Sequence, residues 1–131
     1  MTKQQHIHYW AKQIDDDLDC ATAIFFAGHY AQSLFWAHLC LEKMCKALWI
    51  KNNDGNTPPF VHNLLKIATQ TKEFFTEEQL QFFADMNTFQ IRGRYPDYAH
   101  SFENTIDKKT AEKYLNQTKK TIECLQQMLQ K

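Results

Sequence analysis

Apolar side chains return every three or four residues through most of this chain, a spacing that suits packed α-helices and little else. From about Gln4 to Ala27 the stripe is Ile7, Trp10, Ile14, Leu18, Ala21 and Phe25. Gly28 follows, in the position that favours a left-handed helix cap. A second pattern runs from about Tyr30 to Lys51, with Leu34, His38, Leu41, Cys45 and Leu48 along one side. Gly28 and His29 alone separate the two, so the helices are expected to fold back as an antiparallel hairpin. With 3 Gly and 3 Pro there is little material for β-hairpin turns, which disfavours an all-β fold.

The rest of the chain continues the pattern. The run from Asn52 to Pro59 is the clearest loop. A short helix is expected from about His62 to Lys72, carrying Leu64, Leu65 and Ala68. Thr76-Glu77-Glu78-Gln79 then reads as a capping box, opening a helix with Leu80, Phe83, Met86, Asn87 and Ile91 that Gly93 should break. The last helix should start at Asp107 as N-cap and bury Ala111, Leu115, Thr118, Ile122, Leu125 and Leu129. The expected fold is all-α, an up-and-down four-helix bundle with one additional short helix, as a single domain over residues 1–131.

Composition narrows the function classes. At 44% hydrophobic residues the chain can bury a core and is not disordered. Fifteen basic residues balance 15 acidic ones, which excludes a general nucleic-acid coat and leaves room only for a local basic patch. Cys20, Cys40, Cys45 and Cys124 form no CxxC pair and read as reduced thiols acting as small hydrophobes, in a cytoplasmic setting. The amino terminus carries no apolar signal region, and no run approaches bilayer length, so no membrane association is expected.

Chemistry concentrates between Asn87 and His100. Here Arg92, Arg94, Tyr95, Asp97, Tyr98 and His100 crowd a helix end broken by Gly93 and Pro96. Arg beside Tyr suits phosphate and base recognition. Arg94 could grip a phosphate and His100 could move protons near neutral pH. The plainer alternative pairs Arg94 with Asp97 or a helix end and leaves His100 solvated. Asn87 could brace this loop or make structural bonds alone, and Arg92 could contact phosphate or satisfy helix carbonyls. Asp17 and Glu42 sit beside apolar positions and should find Lys43, Lys46 or Arg94 as partners. No Glu-x-x-His pair and no i, i+4 histidine pair occurs, so neither metal nor other cofactor is expected. His38, on the core stripe, reads as a satisfied core histidine, and His62 as closing the start of the short helix.

Four segments in order then resemble one family. They are Trp10 to Ala21 in the first helix, Glu42-Lys43-Met44-Cys45-Lys46-Ala47-Leu48 in the second, Pro58-Pro59 followed by His62-Asn63-Leu64-Leu65, and Asn87 seven residues before Arg94-Tyr95-Pro96-Asp97-Tyr98. Together they are similar to the HEPN domain, most closely its Arg-Tyr-Pro-Asp-Tyr subgroup. The resemblance implies a helical bundle that commonly dimerises and works beside a small nucleotidyltransferase, sometimes as a toxin–antitoxin pair. It also implies Arg94 and His100 as catalytic candidates, since many members are metal-independent ribonucleases with an Arg, four to six residues, then His. Two positions depart from the ribonuclease pattern: Tyr95 replaces a small polar residue, and Phe102 stands where one toxin subgroup has Tyr. The expectation is a dimeric nucleotide- or RNA-binding module using Asn87, Arg92, Tyr95, Asp97 and Tyr98. The alternative is a metal-independent endoribonuclease using Arg94 and His100.

Overall fold

The computed structural model describes residues 1–94 and 106–131, with residues 91–94 described as backbone only. Among them every regular element is helical: α1 (Lys3–Ala11), α2 (Ile14–Phe26), α3 (Tyr30–Asn52), α4 (Leu64–Gln70), α5 (Glu77–Arg94) and α6 (Lys108–Gln130). No helix among the described residues is long and apolar enough to cross a membrane.

α3 is the axis of the fold and packs against all five other helices. Leu34, Ala37, Cys40, Leu41, Met44, Ala47, Leu48 and Ile50 are all buried, so its apolar surface runs nearly all round the cylinder. α6 instead buries one stripe: Ala111, Leu115, Thr118, Ile122 and Leu125. Hydrogen bonds fix the relative directions. Ser33 donates to the Ala21 carbonyl at 2.7 Å, and the Cys40 thiol approaches the Ile14 carbonyl at 3.6 Å, so α2 and α3 are antiparallel. Gly28 makes that reversal with φ of +88°. The Gly28 N–H reaches Phe25 O and the His29 N–H reaches Ile24 O, the paired bonds of a Schellman cap. α5 and α6 are antiparallel too, since Gln79 meets Cys124 while Phe89 meets Tyr114.

Cations close two helix ends. Lys3 Nζ donates to the carbonyls of Ile50, Asn53 and Gly55 at 2.7–3.0 Å, occupying the negative end of α3. Lys51 Nζ does the same for α6 through Met128 O at 2.6 Å.

Three expected boundaries are corrected. The first helix is not continuous, because the ladder breaks at Lys12-Gln13 and yields α1 and α2. The Gln13 side-chain amide takes the Tyr9 carbonyl at 3.0 Å, the acceptor its own backbone N–H would use, while its oxygen accepts from Lys43 at 2.6 Å. Gly93 does not break α5, which passes through it to Arg94; a glycine weakens a helix by about 1 kcal/mol without ending it. The short helix is shorter than expected, starting at Leu64. It ends at Gln70, and Lys72 takes φ of 65°, the left-handed turn usually given to glycine.

All four cysteines are free. Cys40 and Cys45 are buried, and burial pushes both thiols up to about 12. Cys20 is exposed, contrary to its expected part as a small hydrophobe, because α2 turns that position to solvent.

Candidate functional site

α5 carries the candidate residues, and its start is well determined. Thr76 Oγ1 accepts from the Gln79 N–H at 3.1 Å, and Gln79 Oε1 accepts from the Thr76 N–H at 2.9 Å, the reciprocal capping box. Phe83 and Met86 then anchor the helix in the core, and the Phe89 ring meets Tyr114 edge-on at 5.0 Å.

Asn87 is the polar hinge of the arrangement. Its Oδ1 accepts from the Leu64 N–H at 2.7 Å, satisfying a donor at the amino end of α4 that has no partner within its own helix. The same oxygen lies 3.3 Å from His38 Nε2 on α3. Its Nδ2 donates to Asn63 Oδ1 at 3.0 Å, and Asn63 in turn caps α4 by accepting from the Lys66 N–H. One amide therefore ties α3, α4 and α5 together. The Leu64 N–H fixes which end of the amide is oxygen, so His38 must donate from Nε2. Burial holds the His38 imidazole below the ordinary range, with Glu42 and Asn87 opposing part of that shift, so the ring is neutral at pH 7.

One turn along α3, a second polar group continues the seam. Glu42 is 4% exposed, with one oxygen 3.3 Å from Lys46 Nζ and the other 3.0 Å from His62 Nδ1. Lys46 Nζ also lies over the Trp10 ring at 5.2 Å. Asp17 pairs with Lys43 at 2.7 Å, off a hydrogen-bonding angle, so charge rather than direction holds that contact. Among the described residues each buried carboxylate, Asp17 and Glu42, thus has a cation, as burial demands.

Of the residues singled out in the sequence, Asn87 is held inside this network, and Arg92 and Arg94 occupy the last turn of α5 as backbone. The side chains of Arg92 and Arg94, and all of Tyr95, Pro96, Asp97, Tyr98, His100 and Phe102, lie outside the described residues. The neighbouring start of α6 is described. Asp107 Oδ1 caps it through the Thr110 N–H at 2.8 Å, which holds that carboxyl below its usual range, and Lys108 and Lys109 are exposed. The Phe89–Tyr114 contact brings this basic turn beside the end of α5. Sequence reasoning missed His38 as the partner of Asn87 and His62 as a partner of Glu42. The available signal was two polar residues on otherwise apolar stripes, each needing a hydrogen-bonding counterpart.

An all-helical domain with a buried polar seam steering one helix end toward a basic turn is the class this geometry defines. The family model for the HEPN domain matches residues 7–128, and the chain belongs to that family. No curated protein and no solved structure matches it significantly.

Proposed function

We propose that this HEPN-domain protein is a dimeric nucleotide- or RNA-binding module, with the anion held at the carboxyl end of α5. One observation carries the reading. The Asn87 amide fixes α5 to α3 and α4 two turns before Arg94, so a guanidinium there departs from a braced platform. Lys108 and Lys109 add exposed positive charge beside it. Arg92, Tyr95, Asp97 and Tyr98 would complete the grip, the tyrosines by stacking on a base. Asn87 acts through the scaffold in this reading. The same proposal includes a small nucleotidyltransferase as partner, a toxin–antitoxin setting, a cytoplasmic location, and an up-and-down bundle in which α1 and α2 form one limb and α4 is the added helix.

The second reading is a metal-independent endoribonuclease, favoured by the five residues that separate Arg94 from His100. There Arg94 would hold the scissile phosphate, and His100 would take or return the proton of the 2′-hydroxyl.

Arg94→Ala and His100→Ala separate the two. For the binding module, wild type leaves RNA intact in EDTA, Arg94→Ala weakens RNA binding about tenfold or more, and His100→Ala changes it little. For the enzyme, wild type cleaves RNA in EDTA and both variants abolish cleavage with unaltered thermal unfolding. Intact RNA in wild type, together with nucleotide and RNA affinity that is absent or indifferent to Arg94→Ala, refutes both.

A further inference from the structure

A cleft of about 230 Å³ opens between α1 and the proline loop. Tyr9, Trp10, Pro58 and Phe60 line it together with Lys46. It is remote from the end of α5. His38 stands beside Asn87; Lys46 lies eight residues further along α3, and Arg94 seven residues beyond Asn87 in the opposite sense. At about 1.5 Å per residue the two places are roughly 20 Å apart.

Two properties of the cleft point to a ligand. The first is a buried donor with capacity to spare. Lys46 is 6% exposed, yet it lines the cleft. Among the described residues its ammonium has one hydrogen-bond acceptor, Glu42 Oε2 at 3.3 Å, longer than the roughly 2.7–2.9 Å of a good ammonium–carboxylate bond. An ammonium carries three donors; with one on Glu42 and the Trp10 ring 5.2 Å from the nitrogen, an acceptor placed in the cleft meets an N–H that neither of them uses. The second is uncovered ring surface: Phe60 is 92% exposed and Tyr9 47% exposed, and both border the cleft.

Charge then selects the ligand. Glu42 already balances Lys46, and a negatively charged ligand would come within reach of that buried carboxylate. Size selects further, since drug-sized sites run to about 300–1,000 Å³ and this cleft holds little more than one ring system. The geometry points to a binding site for a flat, uncharged heteroaromatic ring with a hydrogen-bond acceptor on its edge. The ring stacks on Phe60, the more open of the two rings, and Lys46 donates to its edge. This inference is independent of the site at the end of α5.

Titration of the full chain with adenine, uracil and nicotinamide, followed by NMR at the Trp10 indole N–H, tests it. Saturable shifts with at least one of the three are expected, and none with cyclohexanol, which is apolar but not flat. Benzoate, flat but anionic, binds more weakly. Phe60→Ala and Lys46→Met each weaken the interaction at least about fivefold, the loss expected for one stacked ring. Arg94→Ala leaves it unchanged. Phe60→Ala removes an exposed side chain and should not disturb folding, so its result stands whatever Lys46→Met does to stability. The inference is overturned by an absence of saturable shifts up to millimolar heteroaromatic. It fails equally if cyclohexanol binds as well, if Phe60→Ala has no effect, or if Arg94→Ala abolishes the shifts.

Discussion

A single side-chain amide, that of Asn87, satisfies a backbone donor of one helix, meets an imidazole of a second and extends from a third. Asn87→Leu keeps approximate volume but leaves the Leu64 N–H without its acceptor. Destabilisation of about 1–3 kcal/mol is expected, measured as a shift of the urea midpoint at constant slope. The adjoining histidine gives a pH signature. His38 in the folded chain sits below its ordinary value of 6.5 because burial disfavours the imidazolium. The unfolded chain therefore takes up the proton first as pH falls, and stability drops on acidification below about pH 6.5 while staying level above it. In His38→Gln this slope is diminished, which unfolding curves between pH 5 and 8 would reveal. The sequence showed both residues as polar intruders on apolar stripes. It did not show them as partners, because they lie 49 positions apart and only tertiary packing of α3 on α5 joins them.

Helix ends were the more legible level, where a local rule fixes the conformation. Gly28, Thr76 and Asp107 each cap the helix their sequence context announces. The break at Gln13 was not legible, since it depends on Lys43 drawing the side-chain amide across from α3. Two left-handed residues make opposite forecasts. Gly28→Ala forces a Cβ into φ of +88° and should cost about 1–2 kcal/mol, although nothing lies within 4 Å of the added atom. Lys72 already bears that strain at φ of 65°, so Lys72→Gly should raise stability by up to about 1 kcal/mol. Paired thermal melts of the two variants check both signs. The candidate residues from Tyr95 to His100 were legible only as a collection of residue types, since the repeating apolar spacing that announces the helices does not run through them.

For the molecule as a whole, α3 decides what is protected. It is enclosed by the other helices, and residues buried on it become accessible only when those neighbours separate. Its two thiols are the natural witnesses. Cys20 is exposed and should react with a disulfide reagent within the mixing time of an ordinary assay, with Cys124 slower. Cys40 and Cys45, with thiolates scarce until about pH 12, should stay silent until the bundle opens. A labelling course in which all four react together would show that the bundle does not hold closed in solution. If they react in sequence, the lag before the last two is a stopwatch on the breathing of the protein's interior, built in without any foreign dye or engineered probe.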